Sequence, residues 1–146
     1  MPTHQMLTTI LESGTDATRD SVQMLYASWL DAIRTRQSSR LVALYAEDAI
    51  LRGDFATQMQ IGCGRGAIQS RFDSVLYGAN VGIKPLGTHF CEISSDLVIV
   101  TGSYQIALGG RHANDPVTST CTNFTFVFRK ERSGKWYIIE HHSSTQ

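Results

Sequence analysis

The residue types able to do chemistry are densest at the end of the chain, where "IIEHHSSTQ" (138–146) sets a glutamate, two adjacent histidines and two serines in line. Such a run could be a metal site, an acid/base pair or the polar end of a strand. In a strand, neighbouring side chains point to opposite faces, so His141 and His142 cannot reach one metal ion together. Glu140 and His142 share one face, and His141 and Ser143 share the other. A Glu-x-His pair supplies two ligands where zinc needs three or four, and His89 and His112 are far away in sequence, so no metal site is expected. The candidate proton-moving groups are Asp54, His89 and His142. Asp54 is the last acid of the segment "DAILRGDF", whose Arg52 is either an anion anchor or a surface charge. The adjacent carboxylates of "AED" (46–48) diverge in a turn rather than converge on a substrate. The glycines of "GCGRG" (62–66) lack the Lys-Ser/Thr ending of a phosphate-binding loop and read as a loop entering a helix.

These candidates sit in a chain of 146 residues, the size of one domain. Hydrophobic residues make up 42% and charged residues 18%, which indicates an ordinary globular protein rather than a disordered one. Thirteen basic residues balance thirteen acidic ones, so no net charge draws the chain to nucleic acid or an anionic membrane. No apolar run reaches the roughly 20 residues of a membrane span, and the first residues carry no secretory pattern. Cys63, Cys91 and Cys121 are widely spaced and odd in number, which suits free thiols in a reducing compartment. The expectation is a cytoplasmic protein without cofactor.

Residues 1–14 read as an N-terminal arm and 15–146 as a single domain. From Thr15 or Asp16, either of which can cap a helix, Val22, Leu25, Tyr26, Trp29 and Ile33 recur at the spacing of one helix face. A short second helix is expected from about Ser39, with Leu41, Leu44 and Tyr45 inward. A third carries Ile68, Phe72, Val75 and Leu76 on one side and stops at Gly78. After residue 80 four β-rich segments follow: "VGIKPLGTHFCEI", "LVIVTGSYQIAL", "VTSTCTNFTFVFRK" and "KWYIIEHHS". Turn residues separate them at 94–96, 109–116 and 133–134. The loop "GGRHANDP" is the expected flexible point. Helices first and strands afterwards predict an α+β fold, an antiparallel sheet with helices on one face.

The combined pattern "W..AI", "L..LYAEDAIL", "GRGAI...F", "GSYQI" and "FTFVFRK....GKWYIIEHHSS" resembles the NTF2-like superfamily over residues 19–144. Within it, the chain is similar to bacterial relatives of the association domain of calcium/calmodulin-dependent protein kinase II. The resemblance implies a cystatin-like cone, in which a strongly curved antiparallel sheet wraps a long N-terminal helix and two shorter ones. It also implies a pocket between helix and sheet, and a homodimer through the open sheet face. Superfamily members use that pocket for isomerisation, dehydration, cyclisation or binding alone. Ketosteroid isomerases carry a tyrosine, an aspartate base and a later acid. The matching positions here hold Trp29, Gly53 and the acid-free stretch Thr122–Thr125, so steroid isomerisation is not expected. The kinase-association relatives line their pocket with arginines, and this chain has Asn123 and Thr125 on the matching strand.

The expected pocket lining is therefore Tyr26, Trp29, Phe72, Tyr104, Asn123 and Glu140, an aromatic and neutral-polar site for a small organic molecule. The aromatic members are equally readable as core packing. Two functions follow. One is a homodimeric association and ligand-binding domain. The other is a small SnoaL-like enzyme of isomerase or dehydratase type, in which His89 or His142 and Asp54 move protons.

Overall fold

The computed structural model describes residues 16–54, 59–77, 80–110, 112 and 114–146. The expected N-terminal arm, the Thr15 cap and the Gly78 stop lie outside these residues, as do the side chain of Asp16 and part of the 109–116 loop.

Helix α1 (Asp16–Arg34) forms where the apolar spacing placed it. Val22, Tyr26, Trp29 and Ile33 are buried, together with Leu30 and Ala32. Its end is set locally. Arg36 adopts a left-handed φ of 56°, the amide of Gln37 donates to the carbonyl of Ala32, and that of Arg36 donates to Ile33. This paired closure satisfies carbonyls that the last helical turn leaves open. Arg34 then donates to the Ile83 carbonyl from Nε (3.3 Å) and Nη2 (3.0 Å), fixing the helix end to the sheet.

The second helix, α2, is shorter than expected, spanning Ser38–Val42. Tyr45 is not part of it but opens strand β1 (Tyr45–Asp54). Strand β2 (Met59–Cys63) takes the first glycine of the "GCGRG" run into the sheet. Gly64, at φ 84°, then turns the chain into α3 (Arg65–Leu76), its amide bonded to the Ala49 carbonyl at 2.8 Å. The remaining strands are β3 (Asn80–Ser94), β4 (Leu97–Gly109), β5 (Thr118–Lys130) and β6 (Trp136–Thr145).

One six-stranded sheet results, in the order β2-β1-β6-β5-β4-β3. It is mixed rather than wholly antiparallel, because β1 lies parallel to β6. A first strand that must reach the last strand in sequence can approach it from either direction, and strand periodicity carries no information about which. Period-two alternation places Thr122, Phe124, Phe126 and Phe128 of β5 on the inner face, toward the helices. Extra residues at Leu86 of β3, opposite β4, and at Ile139 of β6, opposite β5, bend the ribbon. The bend brings the Gly87 carbonyl to where a Cβ on Gly102 would stand, so that position admits no side chain.

Gly53 is the tightest point of the parallel pairing. It has φ 141° and is in register with Ser143, whose backbone occupies the place of a Cβ. Gly53→Ala is expected to destabilise the fold by roughly 2–4 kcal/mol, through backbone strain and displacement of β6. Urea unfolding at neutral pH checks this, and a loss below about 0.5 kcal/mol, the range of inert surface changes, would refute the account.

Candidate functional site

Strand alternation at the C-terminus resolves the histidine pair into two environments. His141 points inward and is 0% exposed, whereas His142 is exposed on the outer face. Around His141 the helix and three strands deliver a continuous buried chain of polar groups. Trp29 Nε1 of α1 donates to Tyr45 Oη of β1 at 3.0 Å. Tyr45 Oη lies 2.8 Å from His141 Nδ1, His141 Nε2 lies 2.8 Å from Ser143 Oγ, and Ser143 Oγ lies 3.3 Å from Tyr104 Oη of β4.

The indole can only donate, which sets the direction of the chain. Tyr45 accepts from Trp29, so its single proton goes to Nδ1, and the imidazole carries its own proton on Nε2 toward Ser143. That tautomer is neutral. Burial holds the His141 pKa down to about 3, helped by the nearby His142 and Arg71. Burial likewise raises the Tyr45 hydroxyl well above its usual value. Arg71 of α3 is buried beside this group, and its Nη2 donates to the carbonyl of Gly53.

Aromatic rings enclose the polar chain. Phe126 packs on His141 with centroids 4.2 Å apart, and Trp29 meets His141 edge-on at 5.5 Å. Trp29 and Tyr104 stand 5.7 Å apart, Tyr104 and Phe124 5.4 Å, and Tyr45 and Phe72 6.2 Å. Tyr26, Trp29, Phe72 and Tyr104 are thus brought together on the inner face, in ring-to-ring packing. Asn123 and Glu140 are on the opposite face. Asn123 accepts from Ser103 and Gln146, and Glu140 pairs with Arg52 at 3.4 Å. His89 is exposed on that outer face as well. Asp54 ends β1, and its side chain lies outside the described residues. The proposed proton-moving histidines therefore do not join the buried group.

Sequence reasoning passed over His141, Ser143, Tyr45 and Arg71 as a unit. The period-two pairing of His141 with Ser143 was the available signal. Assigning Tyr45 to a helix concealed its partner. Chemically, the arrangement is a satisfied structural relay: an imidazole with both nitrogens engaged, low basicity and no exposed surface is not placed to meet a substrate. Among the described residues, no three His, Cys, Asp or Glu side chains converge as a metal site.

Three helices packed on a six-stranded mixed sheet match the NTF2-like cone. The SnoaL-like domain family matches residues 22–146, and the chain belongs to that family. Among solved structures, it is similar to a protein from Xanthomonas campestris assigned as a calcium/calmodulin dependent protein kinase II association domain. That pair is 26% identical, with a TM-score of 0.73, covering 86% of this chain and 85% of the other. A ketosteroid isomerase-like protein from Erwinia carotovora is 16% identical, with a TM-score of 0.75, covering 90% and 98%. An NTF2-like protein from Streptomyces avermitilis assigned as a dehydratase is 18% identical, with a TM-score of 0.74, covering 90% and 97%. Comparison with curated proteins finds no match.

The depressed His141 pKa makes stability pH-dependent with a defined sign. Unfolded histidine titrates near 6.5, and the folded group near 3. Between these values the unfolded chain binds the extra proton, so stability falls as pH falls, by about 1.4 kcal/mol per unit from this group. Urea unfolding at pH 7 and pH 5 should show the loss. His141→Phe should flatten the slope while lowering stability at pH 7, and an unchanged slope would sink the assignment.

Proposed function

We propose that the chain is a homodimeric association domain that pairs through the outer face of its sheet, with a ligand groove beside α1. The carrying observation is the contrast between the two faces. The inner face is filled by aromatic rings and an internally satisfied polar chain. The outer face of β4, β5 and β6 is a broad open surface built in rows. Ile99–Val127–Glu140, Thr101–Thr125–His142 and Ser103–Asn123–Ser144 succeed one another along it. Only Glu140 in these rows is an acid or a lysine/arginine base, and it is already paired with Arg52. Depletion of charge at the centre is what protein interfaces share, whereas a solvated sheet face is ordinarily studded with charges. The six strands, five gaps of about 4.8 Å, give a sheet some 24 Å wide, the scale of a standard interface of about 800 Å² per partner.

The groove has a volume of about 380 Å³ and is bordered by Met24, Leu25, Leu44, Trp136 and Tyr137, with Lys135 at its rim. That volume falls in the range of small-molecule sites. A second reading, a small dehydratase- or isomerase-type enzyme, draws on the Tyr45–His141–Ser143 chain. Full burial and low basicity of the imidazole weigh against it.

Light scattering at pH 7.5 should give twice the 16.2 kDa chain mass. Thr125→Arg, which puts a bulky cation in the middle of the face, should give the single-chain mass with unchanged circular dichroism. A monomeric wild type refutes the association reading.

A further inference from the structure

We propose that association through the outer face is acid-sensitive, with His89 and His142 as the groups that release it. This rests on the sheet-face dimer above. The strand registers align one row across the sheet. His89 of β3 pairs with Thr101 of β4, Thr101 with Thr125 of β5, Thr125 with His142 of β6, and His142 with Arg52 of β1. His89, Thr101, His142 and Arg52 are exposed and Thr125 is half-buried, all on the same face.

The stretch His89–Thr101–Thr125–His142 is its own reverse about the midpoint between the two threonines. Two sheets that pack face to face are related by a twofold axis lying in the interface plane. An axis through that midpoint and along the strands lays His89 over the partner's His142. An axis along the row lays each histidine over its own copy. In both cases imidazole meets imidazole across sheets about 10 Å apart, close enough for the two side chains to touch.

The charged surroundings decide the sign. His142 is flanked by Arg52 on β1 and by Glu140 two residues away on its own strand, and these two neutralise each other at 3.4 Å. Thr125 is its neighbour on β5. His89 faces Thr101 on β4, with Cys91 beside it on β3, and no carboxylate stands in its row among the described residues. A proton on either histidine is therefore an uncompensated cation, and pairing confronts it with another. The separated chains bind these protons more readily than the dimer, so acid favours dissociation. Histidine is the side chain whose charge changes across this pH range.

Sedimentation equilibrium of the full chain at pH 7.5 and pH 5.5 tests the proposal, with circular dichroism establishing that the fold persists at pH 5.5. The dimer dissociation constant should rise at pH 5.5 by about tenfold for each histidine forced to stay neutral. His89→Gln with His142→Gln should dimerise alike at both pH values. The double variant retains His141 and its acid destabilisation, so the comparison with wild type isolates the surface pair. A wild-type constant that is the same at both pH values overturns the inference and leaves the dimer standing. Equal weakening of wild type and double variant also overturns it. A monomer at pH 7.5 removes the association reading itself, and this inference with it.

Discussion

The buried run from Trp29 through Tyr45, His141 and Ser143 to Tyr104 is the constraint on which the rest of the cone depends. It joins α1, β1, β6 and β4 in one hydrogen-bonded line through an otherwise aromatic interior. Each member is buried, so losing any one leaves its neighbour's polar atom without water or partner, at a cost of roughly 1–3 kcal/mol. The line also fixes the rotation of α1, since only one face of the helix can present the Trp29 indole to Tyr45. Networks of this kind specify one arrangement where apolar packing alone tolerates several.

The parallel contact between β1 and β6 follows from the same line. Tyr45 reaches His141 because the two strands run side by side, in register at Leu51↔His141 and Gly53↔Ser143. Close approach at the second pair excludes a side chain from position 53. The position that holds an aspartate base in ketosteroid isomerases is therefore a backbone contact here, its carbonyl taken by Arg71. The neutral imidazole of His141, with both ring nitrogens engaged, ties β1 and β6 to the helix. Exposed titratable groups of β3 and β6 face outward, toward the surface we assign to association.

Much of the fold was legible in the residues. The helical stripe from Val22 to Ile33 and the four β-rich segments after residue 80 were patterned by burial on one face, and burial is what periodicity records. The mixed sheet was not legible, because more than half of the chain separates β1 from β6 and strand direction leaves no trace in composition. Tyr45 was misplaced for a related reason. Leu41, Leu44 and Tyr45 fit a helix face, yet α2 stops at Val42 and the tyrosine enters β1 to satisfy His141. Of the six residues expected to line one pocket, the aromatic four converge. Asn123 and Glu140 lie on the outer face, since each is one residue from an inward-facing neighbour and strand parity is unforgiving.

By itself, the sequence determined the α+β class, the core stripe of the long helix and the fact that His141 and His142 must part company, because 3.6- and 2-residue periods are properties of the local backbone. Which histidine turned inward was decided only in the folded chain. The extra residue of β6 at Ile139, the parallel register with β1 and the indole of α1 together select His141 for the interior and leave His142 in a row with His89. Parity is local, but its phase is set by the strand pairing that buries the rings while joining the polar atoms of the chain from Trp29 to Tyr104.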